Sequence, residues 1–314
     1  MMKKAFVFPG QGAQKVGMVK DLYDQYAMVR EVFEEADDAL GFSLTKLCFE
    51  GPDEELMKTY HTQPAILTAS VACYRILVAE GIKPDIVAGH SLGEYSALVA
   101  AQVMSFADAV RTVRLRGQFM QEAVPLGEGA MAAIMGLDDE RIAAICADIS
   151  SVGGVVEPVN YNCPGQLVIA GSTKAVQQAT EELKKAGAKR AVMLHVSAPF
   201  HSSLMQPAAK RLGEVLHDLT LQQATIPVVL NVTGQPETDA AAIKEALVKQ
   251  AASPVLWITC TQTMKNMGAD VLVEVGPGKT LCGFTRKIDR SLHCEHVDDV
   301  TSLEETLTFF QGGN

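Results

Sequence analysis

The sequence predicts an α/β fold in two units, a large one interrupted by a small insertion. Three observations carry that prediction. Short apolar runs alternate with segments whose apolar residues recur at helical spacing. A stretch from about Gly129 to Leu194 has its own rhythm, strand-helix-strand-strand-helix-strand, with glycines at 127 and 129 before it and at 153 and 154 inside it. Strand-helix alternation then resumes toward the C-terminus.

Taken in order, residues 5–8 read as a buried strand stopped by Pro9-Gly10, and residues 16–35 and 62–80 as helices. Residues 85–88 form a second short apolar run, with helices over 92–101 and 108–122. In the middle stretch, strands are predicted over 130–137, 155–161, 166–170 and 190–194, and helices over 139–148 and 173–186. This is the split-βαβ plan of a small ferredoxin-like unit. Beyond it come a strand at 227–232, a helix at 241–250 and a strand at 271–275. The expected division is 128–195 for the small unit, with 1–127 and 196–314 for the large one.

The chain has 314 residues, 48% hydrophobic and 20% charged, enough for a sizeable core. A net charge of −10 argues against a general nucleic-acid partner. Only four apolar residues follow the basic start, too few for a secretory signal, and no window approaches the roughly 20 apolar residues of a membrane span. A cytoplasmic location is expected, with no membrane partner. Seven cysteines, an odd number without a CxxC pair, suit reduced thiols better than a disulfide framework.

The chemistry centres on Gly89-His90-Ser91-Leu92-Gly93, a G-x-S-x-G between an apolar strand and an Ala/Leu-rich helix. Flanking glycines permit a sharp turn. The helix N-terminus behind the serine favours developing negative charge. A serine that merely caps its helix would satisfy the same N–H groups without any chemistry. Ser91 needs a base, and an imidazole titrates near neutrality, but spacing does not choose among seven histidines. Arg111, Arg114 and Arg116 stand at offsets of three and two on one helix, so they cannot all face one way. His293-Cys294-Glu295-His296 is too tight for an ordinary zinc site and reads as a surface or edge strand. Phosphate-binding glycine loops of the GxxxxGK[ST] kind are absent.

Further blocks extend the pattern. They are Phe8-Pro9-Gly10-Gln11-Gly12, Gln63-Pro64-Ala65, Arg116-Gly117-Gln118-Phe119-Met120, Asn160-Tyr161-Asn162, Ala198-Pro199-Phe200-His201 and Val275-Gly276-Pro277-Gly278. Together with Gly89-His90-Ser91-Leu92-Gly93-Glu94 and in this order, the chain resembles the malonyl-CoA:acyl carrier protein transacylases of fatty-acid biosynthesis. The resemblance implies an α/β-hydrolase-like large domain with an inserted ferredoxin-like small subdomain and a site in the gorge between them.

It also implies roles. Ser91 is the nucleophile and His201 its base. The backbone N–H groups of Leu92 and Gln11 form the oxyanion hole, and Arg116 grips the substrate carboxylate. Gln250 lies near the histidine in place of the acid of a Ser-His-Asp triad. Phe200 resembles the malonyl-selective pattern, where methylmalonyl enzymes carry serine. The implied partners are malonyl-CoA, as substrate, and a transiently bound acyl carrier protein, the enzyme acting as a monomer without metal or other cofactor. Basic patches for the carrier are expected at Lys184, Lys185, Lys189 and Arg190, or at Arg286, Lys287 and Arg290. A serine hydrolase and a non-catalytic carrier-binding subunit are the rival readings.

Overall fold

The computed structural model describes residues 2–194, 196 and 198–312 and is a mixed α/β protein. Its strands are β1 (Lys4–Phe8), β2 (Ile86–Gly89), β3 (Gly129–Met135), β4 (Val156–Cys163), β5 (Gln166–Ser172), β6 (Arg190–Met193), β7 (Val228–Val229), β8 (Pro236–Glu237), β9 (Val271–Val275) and β10 (His293–Val297). One sheet runs β10-β9-β1-β2-β7-β8, parallel except for β8. Its central strands are buried along almost their whole length. Continuous apolar runs such as Ala5-Phe6-Val7-Phe8 are what a parallel sheet covered on both faces requires.

The second sheet, β4-β5-β3-β6, is wholly antiparallel. Helices Asp139–Ser151 and Thr173–Lys185 follow β3 and β5, so the six-element order read from the sequence is present. The expected boundary at residue 195 falls outside the described residues. Backbone hydrogen bonds join the two units: Val255 N–H donates to Val159 O (2.8 Å) and Tyr161 N–H to Val255 O (3.0 Å).

Helix Thr59–Ala79 runs through the core although Pro64 lies inside it. Proline lacks the N–H that would bond the carbonyl four residues back. That carbonyl, on Tyr60, instead accepts from Arg114 Nη1 at 2.8 Å. This 21-residue helix is long and apolar enough to cross a membrane, but 78% of its apolar window is buried inside the protein. Gly117 on helix Phe106–Glu122 lets the two helices close up, since a Cβ there would lie 2.6 Å from Tyr60 Cα.

Two local expectations change. The single helix over 16–35 is two, Lys20–Gln25 and Ala27–Leu40, broken where Tyr26 is extended; Arg30 Nη1 takes the freed carbonyls of Tyr23 and Asp24. The strand over 227–232 pairs only at Val228–Val229, because the next residues turn toward the core and Asn231 N–H goes to Glu94 Oε2 (2.7 Å).

The cysteine reading is corrected as well. Cys282, on helix Thr280–Ile288, is disulfide-bonded to Cys294 on β10, with Cα atoms 5.4 Å apart. The spacing hid this pair because the partners meet only when the helix packs back on the sheet edge. Cys48, Cys73, Cys146, Cys163 and Cys260 are free and buried. The His293–Val297 segment is the edge strand expected of it, and no metal-holding cluster of His, Cys, Asp or Glu exists among the described residues.

Candidate active site

Ser91 stands in the turn between β2 and helix Gly93–Ala100, at φ 52°, a left-handed conformation unusual outside glycine. The turn is closed so tightly that a Cβ on Gly89 would lie 1.9 Å from the Gly93 carbonyl. Its Oγ is 2.7 Å from His201 Nε2, and His201 Nδ1 is 2.9 Å from the backbone oxygen of Gln250. A carbonyl only accepts, so Nδ1 carries the proton and Nε2 is left as an acceptor for the Ser91 hydroxyl. Gln250 ends helix Ala240–Gln250, where carbonyls lack intrahelical partners. A helix-end carbonyl therefore stands where an aspartate stands in a Ser-His-Asp triad.

The Gln250 side chain is fully buried and turns inward rather than to solvent. Its Oε1 accepts from Arg116 Nη2 (2.8 Å), and its Nε2 donates to Ser91 O (2.9 Å). Of the three helix arginines, Arg111 lies at the surface beside Asp108, Arg114 stacks on Phe42 and Tyr60, and only Arg116 enters the core. Arg116 donates to Gln63 Oε1 (2.8 Å) and, through Nη2, to Ser91 Oγ (3.1 Å). A guanidinium thus stands at the nucleophile, held by neutral groups. The Leu92 and Gln11 N–H groups have no acceptor among the described residues.

Around these groups lies a cavity of about 280 Å³. Its walls include Gln11, Leu92 and Phe200 from the large unit and Met131, Asn160 and Val168 from the small one. His90 does not compete for the serine. Its Nε2 pairs with Asn162 Oδ1 (2.8 Å) and its ring lies by Trp257.

Residues 5–304 match the acyl transferase domain model. The malonyl CoA-acyl carrier protein transacylase of Salmonella typhimurium is 52% identical over 98% of this chain and 100% of its own. The crystal structure of an acyl carrier protein S-malonyltransferase from Vibrio cholerae, 51% identical, superposes with a TM-score of 0.94 over 97% of this chain and 99% of that one. The chain belongs to the malonyl CoA-acyl carrier protein transacylase family. A malonyl-transacylase in complex with its type II PKS acyl carrier protein, 47% identical, superposes at 0.96 over 98% of this chain and 99% of that one.

In this member of the transacylase family, burial dominates the electrostatics. The His201 imidazole is pushed down to about 3, by desolvation first and the neighbouring Arg116 charge second. The Glu94 carboxyl is pushed up to about 7 by burial, against the hydrogen bonds and the Arg116 charge that favour its ionised form. Burial also lowers Arg116, partly offset by Tyr95 and Glu94.

The structure brings Ser91, His201, Arg116, Gln250, Gln11, Leu92 and Phe200 together. Sequence reasoning assigned no role to Gln63, Asn162, Glu94 or Asn231. The first three lie inside recognisable blocks, and that was the available signal. Asn231 lies in none.

Proposed function

We propose that this chain transfers malonyl from malonyl-CoA to the phosphopantetheine thiol of an acyl carrier protein, in two steps through a malonyl-serine. The supporting observation is the buried Arg116 guanidinium, 3.1 Å from the Ser91 hydroxyl and hydrogen-bonded to no carboxylate among the described residues. A planar guanidinium grips a carboxylate bidentately. An uncharged acyl group would leave that buried charge unpaired. Phe200 narrows the same wall, which favours malonyl over its methyl-branched analogue.

Ser91 Oγ attacks the thioester carbon as its proton passes to His201 Nε2. The N–H groups of Leu92 and Gln11 donate to the oxyanion. The carbon–sulfur bond then breaks, and His201 returns the proton to the CoA thiolate. In the second step the carrier thiol gives its proton to His201 and its sulfur attacks the ester. The carbon–oxygen bond breaks, and Ser91 regains a proton from His201. Four proton transfers, all through His201, and two nucleophiles, Ser91 and then the carrier thiol, balance the exchange with no step that calls on a metal or redox cofactor. Every group invoked comes from one chain, so a monomer suffices.

Residues 1–127 and 196–314 form the α/β-hydrolase-like large domain on this reading, and 128–195 the ferredoxin-like insert. The strand order β6-β3-β5-β4 and a nucleophile at the carboxyl end of β2 support that division. The carrier docks on Arg286, Lys287 and Arg290. They line a cleft with Pro164, and the first two share a helix with Leu281 and Phe284 of the acyl cavity. In the other basic patch, Lys185 is already paired with Glu182.

Intact-protein mass spectrometry after mixing with malonyl-CoA tests the reading. A malonyl-sized adduct is expected on the wild type and none on Ser91→Ala. Steady hydrolysis without an adduct would favour a thioesterase, and neither adduct nor turnover a carrier-binding subunit.

A further inference from the structure

The nucleophile turn is fastened from a distance by one side chain. Asn231 follows β7 and is fully buried. Its Oδ1 accepts the Ser91 N–H at 2.7 Å, while its Nδ2 donates to Gly89 O, also at 2.7 Å. One planar amide therefore clamps both sides of a turn whose serine sits at positive φ. A Cβ on Gly93 would meet Phe8 O at 2.1 Å, so the turn has no slack from which to relax outward. Asn231 is fixed in turn at both backbone groups. Its N–H donates to Glu94 Oε2 (2.7 Å) and its carbonyl accepts from Leu256 N–H (3.0 Å). Glu94 is itself on the helix that the nucleophile opens, and it is fully buried.

We propose that Asn231, held by Glu94, is a positioning residue that fixes the conformation of the nucleophile turn and so the aim of Ser91 Oγ at His201. The clamp also sorts the amides. By taking the Ser91 N–H it leaves the next one, on Leu92, to face the cavity. Neither Asn231 nor Glu94 lines the acyl cavity, so the contribution falls on the rate of acylation and not on substrate binding.

The inference rests on Ser91 being the nucleophile, and the experiment separates the two ideas. A fluorophosphonate probe reacts with an activated serine without needing Arg116 or CoA contacts. Labelling of the wild type at Ser91 upholds the nucleophile, and its absence overturns that reading. In Asn231→Ala, labelling and malonyl-CoA acylation are both expected to fall about 100-fold, with KM for malonyl-CoA nearly unchanged. Asn231→Asp has nearly the same volume and keeps the acceptor for Ser91 N–H but loses the donor to Gly89 O; an approximately tenfold loss is expected. Glu94→Gln still offers an oxygen to Asn231 N–H and should keep most of the rate that Glu94→Ala loses. A wild type that labels beside folded Asn231 variants that label equally fast would sink the proposal. So would a raised KM at unchanged kcat.

Discussion

Arg116 is where binding and chemistry can be told apart. Arg116→Lys keeps the charge but loses the fork that holds Gln63 and Gln250 and that would, on the proposed reading, grip the substrate carboxylate. Acylation by malonyl-CoA should fall by about 100-fold in kcat/KM, roughly 3 kcal/mol, while acetyl-CoA changes far less. Equal losses for both donors would show that the arginine serves the fold alone. His201 gives a second expectation. Only the neutral imidazole takes the Ser91 proton, and burial with Arg116 beside it holds the ring below its usual 6.5. The acid limb of kcat/KM should therefore lie below pH 6.5. Once a carboxylate offsets Arg116, the limb of kcat should lie at higher pH than that of kcat/KM. The same depressed value means that folding stability from this group is present above about pH 6.5 and lost as pH falls toward 3. A stopped-flow pH series with both parameters checks the order of the two limbs.

Among elements, helix Thr59–Ala79 shows how a broken local rule is compensated. Arg114 fills the Tyr60 carbonyl that Pro64 leaves open and lies 4.6 Å over the Tyr60 ring. Arg114→Ala should cost about 1–2 kcal/mol by removing that bond and stacking. Thermal unfolding would show a midpoint lower by a few degrees, with malonyl transfer per folded molecule unchanged. The sequence located this helix within three residues at its start and correctly placed β9 at 271–275, since strong periodicity and apolar runs are local signals. It did not locate the break at Tyr26 or the early end of β7, where side chains from elsewhere capture backbone groups. At the site, Ser91 was legible as a turn motif, His201 and Arg116 only through family blocks, and Gln250 only through the resemblance as a whole, since no block contains it. Asn231 carried no signal because its meaning depends on a contact 140 residues away.

At the scale of the whole molecule, the two units act as one wall. β4, which carries Asn160 and Asn162 to the cavity, meets the Val255 segment through the Tyr161 and Val255 amides. The Tyr161 amide should exchange with solvent as slowly as amides of β1, and far more slowly than those of the exposed edge strand β6. Hydrogen exchange read by mass spectrometry or NMR would check this, and fast exchange at Tyr161 would mean that the insert moves independently. The Cys282–Cys294 link escaped the sequence for the same global reason: only packing makes neighbours of a helix and an edge strand.

Gln250 serves three masters: its carbonyl holds the base, its amide oxygen the arginine, and its amide nitrogen the nucleophile's backbone. Arginine, serine turn and histidine therefore all lean on one residue, through its side chain for the first two and its backbone for the third. A lineage drifting toward a different acyl group cannot retune Arg116 without disturbing the residue that aims the histidine. The site is easy to inherit and hard to edit.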